Sequence, residues 1–127
     1  MNENMNRWLE FARIDLRTAE LLFKEGIYSQ ACFHAHQSVE KYLKALIQRD
    51  HDEPPPRTHS LADLLVRLSS ADKEMLPPDV AQILDDYYIP TRYPDAIPGS
   101  LPEGLPGKKE AKEAVELAHA VLNVRII

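Results

Sequence analysis

The sequence predicts an all-α fold, an antiparallel up-and-down bundle of about five helices, and three observations carry that prediction. Apolar residues recur at the helical period in five separate segments. No segment alternates at period two over a useful length, which argues against a sheet. The segments are joined by loops that fold one helix back on the next. The chain has 127 residues, so residues 1–127 are expected to form one domain with one core.

The first segment spans Glu3–Lys24 and stops at Gly26. At about 100° per residue, Trp8, Phe11, Ala12, Leu16, Ala19, Leu22 and Phe23 share its inward face. The second spans residues 29–48, with Ser29 as the expected N-cap. Its apolar arc (Ala31, Cys32, Ala35, Val39, Tyr42, Leu43, Leu46) is wide enough for a central helix that touches several neighbours. Gln37, Lys41, Lys44 and Gln48 form the opposite, polar strip. Pro54, Pro55 and Pro56 lie in the loop 49–58.

The third segment, 60–69, is capped by Thr58 or Ser60 and turns Leu61, Leu64, Leu65 and Leu68 inward. The fourth, 78–88, begins at a proline, buries Val80, Ile83, Leu84 and Tyr87, and is expected to stop at Pro90. Residues 90–107 hold five of the ten prolines and three of the four glycines and are expected to form a long irregular loop. The fifth segment, 108–124, uses Ala111, Ala114, Val115, Ala118, Val121 and Leu122.

The bulk properties narrow the function. A net charge of −5 argues against holding nucleic acid by indiscriminate phosphate neutralisation. No apolar run reaches the ~18 residues of a membrane span, and the N-terminal stretch has no signal-peptide pattern. The single cysteine, Cys32, has no intramolecular partner and is expected to be an inert buried thiol. A soluble, cytoplasmic protein without membrane contact follows. No spacing of Cys, His and carboxylates closes a metal site, so neither a metal nor a cofactor is expected.

Two acids break the helical pattern. Asp15 falls between Trp8 and Leu22, near the centre of the apolar face of its helix. Glu40 falls at the border of the apolar arc in the second helix, one turn after His36. A buried carboxylate is costly unless it is paired or hydrogen-bonded, so both imply partners. His36 and Glu40 could share a proton, or form a plain helix-surface pair. The Gln37–Lys41–Lys44 strip reads as a solvated face or as an anion-contacting surface. His59 stands at a helix start, where it could meet an anion or a buried acid. Arg92 and Tyr93, on the Thr91-Arg92-Tyr93-Pro94-Asp95 turn, offer a guanidinium and a phenol to a phosphate or to an internal acid. Asp15, Glu40, His59 and Arg92 are expected to converge at one end of the bundle, beside the 90–107 loop.

Trp8 with Ala12, Asp15, Leu16 and Ala19, the run Phe33-His34-Ala35-His36-Gln37-Ser38-Val39-Glu40-Lys41-Tyr42-Leu43-Lys44-Ala45-Leu46, then His59-Ser60-Leu61 and the Arg92-Tyr93-Pro94 turn together resemble the HEPN family, in order and over nearly the whole chain. The resemblance implies a dimeric helical bundle, often paired with a minimal nucleotidyltransferase in a toxin–antitoxin-like system, and a proposed contact with nucleotides. Many members are metal-independent ribonucleases that use an Arg followed by four to six residues and a His. No Arg and His of this chain have that order and spacing; Arg57-Thr58-His59 is too short.

Three functions remain. The first is a binding module for a nucleotide or RNA end, with a nucleotidyltransferase-type protein partner. Its candidate residues are Asp15, His36, Gln37, Glu40, Lys41, Lys44, His59, Arg92 and Tyr93. The second is a ribonuclease with His59 as acid or base and Arg92 beside the phosphate. The third is a structural dimer whose buried polar groups serve folding specificity. The wide apolar arc exceeds what one bundle covers and predicts a two-fold homodimer.

Overall fold

Gly26 closes the first helix and sets the course of the second. Its φ of 77° lies in the left-handed region, and two reversed hydrogen bonds follow, Gly26 N to Phe23 O at 3.1 Å and Ile27 N to Leu22 O at 2.9 Å. This is the Schellman end that a glycine makes cheap. A computed structural model of the chain describes residues 3–92 and 105–124, with residues 89–92 by backbone alone.

Among the described residues there are six helices: α1 (Glu3–Lys24), α2 (Tyr28–Asp50), α3 (Leu61–Leu65), α4 (Ser70–Met75), α5 (Val80–Arg92) and α6 (Lys108–Asn123). The fold is all-α, as the periodicity predicts. Trp8 meets Lys44, Ala12 meets Ser38 and Asp15 meets His34, so α1 and α2 run antiparallel. Asp85 meets His36 and Tyr88 stacks on Phe33, so α5 is antiparallel to α2 as well. Tyr42 donates to the Val124 carbonyl at 2.8 Å, while Cys32 feels the charges of Glu110 and Glu113, so α6 runs parallel to α2. The result is an up-down-up-down bundle.

The second helix is its axis. It packs against α1, α6, α5 and α3, as its wide apolar arc requires. Ala31, Cys32, Ala35, Val39, Leu43, Ala45 and Leu46 have no exposure, and Ala111, Ala114, Ala118 and Val121 of α6 close against them. Small residues on both helices let α2 and α6 approach closely. Burial and the charges of Glu110 and Glu113 push the Cys32 thiol up to about 12, which suits an inert core thiol.

Several boundaries differ from expectation. The second helix starts at Tyr28 with Ile27 as N-cap and no side-chain cap, rather than at Ser29; the Schellman turn has already fixed the chain there. The third is one short turn capped by Ser60, which accepts from Asp63 N. It ends where Arg67 N and Leu68 N reach back only three residues. A separate helix, α4, follows, capped by Ser69. Its apolar face is too small to show in the periodicity. The fifth starts at Val80, past both prolines, after Asp79 takes a positive φ of 61°. It continues through Pro90 to Arg92, because a proline in the last turn removes only one intrahelical bond. Phe11, expected inward, is half exposed. No helix among the described residues is long and apolar enough to cross a membrane.

A central α2 makes its apolar contacts the main source of stability. Leu43→Ala is expected to lower the unfolding free energy by about 2–5 kcal/mol, read as a shift of the urea midpoint; a loss under about 1 kcal/mol would contradict a close-packed position on that axis.

Candidate functional site

A helix packed on four sides must satisfy its polar side chains inside the protein. The second helix does so with three carboxylates, one from each of three elements, and with its own imidazoles and ammonium groups.

Asp15, from α1, is 8% exposed. Its Oδ1 accepts from His34 Nδ1 at 3.1 Å and its Oδ2 accepts from Lys41 Nζ. Burial alone would raise its carboxyl. The hydrogen bonds from His34 and Lys41 and the Lys41 charge outweigh that and hold it below the usual carboxylate range. Glu40, from α2 itself, is 3% exposed. Its Oε2 accepts from Lys44 Nζ at 3.0 Å, one turn on, and its Oε1 accepts from His59 Nδ1 at 3.1 Å. Lys44 is itself buried, and its Nζ lies 5.4 Å from the centre of the Trp8 ring.

The third carboxylate is Asp85 of α5. Its Oδ1 accepts from His36 Nε2 at 2.8 Å and from Leu61 N at 3.0 Å; its Oδ2 accepts from Ala62 N at 3.1 Å. Asp85 thus caps α3 from a different helix while anchoring α2. Burial raises its carboxyl, but the His36 hydrogen bond and the two backbone amides hold it low. An ionised Asp85 requires the proton on His36 Nε2. His36 is fully buried and its Nδ1 has no hydrogen-bond partner among the described residues. The ring stacks on Tyr88 with centroids 4.1 Å apart. Tyr88 also stacks on Phe33 and lies 5.9 Å from the His59 ring, so one tyrosine ties the His36 and His59 sets together.

The candidate residues therefore fall into place differently from the sequence expectation. Asp15 lies in the middle of α1 and Glu40 in the middle of α2, not at one end of the bundle, because the antiparallel α1–α2 register puts residue 15 beside residues 34 and 41. His36 and Glu40 do not share a proton; each faces a different partner. His59 does satisfy Glu40. The polar strip is not a solvated face: Lys44 and Gln48 are buried, and Gln37 and Lys41 are half-buried. Gln48 spends its amide on the carbonyls of His51, Asp52 and Glu53, closing the C-terminal end of α2. Asp15 finds its cation in Lys41. The side chain of Arg92, and Tyr93 altogether, lie outside the described residues, as do most of the 90–107 loop.

Sequence reasoning missed Asp85 and the role of His34. Asp85 sits beside Asp86 on the polar side of an amphipathic helix, where an acid is ordinary. The signal that could have found it is His36: an imidazole on the apolar arc needs a partner, and α5 supplies one.

What reaches solvent is a narrow edge. His34 and Lys41 are partly exposed and His59 is 56% exposed by side chain. The His59 ring is held by a buried carboxylate through Nδ1 while more than half of its side chain is exposed, and Nε2 is the ring nitrogen left for the role of donor, acceptor or proton carrier. Beside this edge, Trp8, Phe11, Arg7, Asn4, Gln48 and the Pro54–Pro55 turn line a cleft of about 310 Å³.

Two outcomes follow from this electrostatic arrangement. Lys44→Ala strands a buried carboxylate and should cost about 3–5 kcal/mol, whereas the Glu40→Leu, Lys44→Met double variant should recover most of that loss in chemical denaturation. Equal losses in both variants would contradict a buried, coupled pair. Asp15 and Asp85 titrate low when folded, so the stability they contribute is fully present above about 3.8 and is lost as pH falls through their depressed values. Asp85→Asn should flatten that acid limb of a stability-versus-pH curve; an unchanged limb would contradict it.

Nearly the whole chain is similar to known proteins. A family model described as "HEPN domain" matches residues 5–126. The crystal structure of TT1696 from Thermus thermophilus is similar at 39% identity, with a TM-score of 0.77 over 96% of this chain and 94% of that one. ST0689, described as an archaeal HEPN homologue, is similar at 32% identity, with a TM-score of 0.68 over 94% of this chain and 92% of that one. No curated protein matches. A match across nearly every described residue, on an all-α bundle of the same shape, shows that the chain belongs to the HEPN family.

Proposed function

We propose that this protein is a binding module that takes a nucleotide or the end of an RNA along the exposed edge of α2, and that it works as a homodimer beside a nucleotidyltransferase-type partner in a toxin–antitoxin-like pair. The observation that carries the reading is the division of the α2 polar groups. Asp15 and Glu40 are buried and acceptor-only, whereas the donors they fix, Lys41, His34 and His59, keep an edge toward solvent. Donors held in place by buried acceptors lose little freedom on meeting a phosphate. The adjacent cleft, walled by Trp8, offers an aromatic surface for a base. A net charge of −5 favours a local contact of this kind over wrapping of a long polynucleotide. The HEPN family supplies the rest, since its members are often dimeric and often accompany minimal nucleotidyltransferases.

One observation favours the ribonuclease reading as a second. His59, oriented by Glu40 through Nδ1 and more than half exposed, has the arrangement of a general base or acid. The usual Arg and His spacing of family ribonucleases is absent from the sequence, so such activity would rest on His59 and on residues brought by another part of the chain or another copy.

The test is RNA binding by fluorescence anisotropy at several salt concentrations, with and without chelator. Lys41→Ala is expected to weaken binding about tenfold and to lower the salt slope by about 1, with His59→Gln acting in the same direction. Cleavage in chelator that disappears in His59→Gln would move the reading to the enzyme. Absence of both binding and cleavage would leave the structural dimer.

A further inference from the structure

The outer face of α1 carries a line of side chains that the bundle leaves uncovered. Phe11, Ile14 and Leu21 are each about half exposed. Thr18 lies in line with them and donates its hydroxyl to the Ile14 carbonyl of its own helix at 2.8 Å, which commits its polar atom. The spacing of Phe11, Ile14, Thr18 and Leu21 is that of a seam that packs into a second helix. Arg7 extends the line at one end and Glu25 at the other; both are exposed, and neither forms an ion pair among the described residues.

This line is self-complementary when reversed. Steps of four and three residues alternate through Arg7, Phe11, Ile14, Thr18, Leu21 and Glu25, and the order of steps is the same from either end. A two-fold axis near the middle of α1 therefore sets Phe11 against Leu21 of the partner subunit, Ile14 against Thr18 of the partner subunit, and Arg7 against Glu25 of the partner subunit. A parallel arrangement would instead set Arg7 against its own copy and Glu25 against its own copy. The charges at the two ends thus select both the occupant and the direction.

We infer that α1 docks antiparallel on α1 of a second copy through this line. The inference deepens the dimer part of the proposed function and rests on it. It also locates the binding edge, because Lys41 Nζ lies 5.9 Å from the Phe11 ring centroid. Covering Phe11 places the Asp15–His34–Lys41 set at the border of the interface, so the edges of two copies face the same seam.

The experiment is sedimentation equilibrium at micromolar concentration without nucleic acid, with circular dichroism to confirm folding. The intact protein is expected to be a dimer. Leu21→Asp, at a half-exposed position, should give a folded monomer. Arg7→Glu and Glu25→Arg should each weaken the dimer about tenfold, and the two together should restore it to within about threefold. A dimer untouched by Leu21→Asp, or a double reversal that fails to restore association, overturns this surface while leaving a dimer by another face. A monomeric intact protein overturns this surface and the dimer reading together.

Discussion

A helix enclosed on nearly every side cannot leave a polar side chain unanswered, and that requirement on α2 organises the protein. The helix carries His34, His36, Glu40, Lys41, Lys44 and Gln48, and all but His34 and Lys41 are buried. Partners for four of them come from three other elements: α1 sends Asp15 to His34 and Lys41, α5 sends Asp85 to His36, and the segment leading into α3 sends His59 to Glu40. Asp85 has the widest reach. It holds His36 of α2 and the first two amides of α3 at once, so three elements share one carboxylate. Apolar packing brings α1, α2, α5 and α6 together, and the ionic contacts of α2 with α1 and α5 add to the cost of a shifted register, because a slip would also strand a buried charge.

The same arrangement separates groups that hold the fold from groups available to a ligand. Asp15, Glu40 and Lys44 are enclosed, and Asp85, a quarter exposed, is taken up by His36 and two backbone amides, so these charges are met within the protein. The exposed donors are immobilised at one end and open at the other. Such an edge resembles a pre-organised binding surface more than a catalytic centre. His59 is the exception, since an imidazole braced by a buried carboxylate can also move a proton. The binding and ribonuclease readings differ only in what the His59 Nε2 meets.

The fold was legible because helical periodicity survives in a single sequence; the four long helices could be drawn from it. Asp15 and Glu40 were legible for a related reason, as acids placed where the wheel demands apolar residues. Other features left no such mark. Asp85 lies on a face where acids are common, and only its partner makes it unusual. Lys44 and Gln48 looked solvated because the α2 wheel cannot show that the α1 tryptophan and the proline-rich turn cover that side. Phe11 looked buried because it lies on the shoulder of the α1 arc, where a wheel cannot separate core from rim. Ile14 and Leu21 lie beyond that shoulder, and the line they form with Phe11 emerges only once the inward face of α1 is known. The short α4 was hidden because six residues carry too little pattern, and its Asp72 is tied to Arg49 rather than to any apolar neighbour.

The most direct test of this account is the protonation of the His36 ring, read by nitrogen-15 NMR at neutral pH. If an ionised Asp85 joins α2, α3 and α5, Nε2 carries a proton and its signal lies in the protonated range, and Asp85→Asn perturbs that signal more than any other imidazole resonance. A bare Nε2 with the proton on Nδ1 would contradict the account, because Asp85 could then not be the acceptor on which the three elements depend.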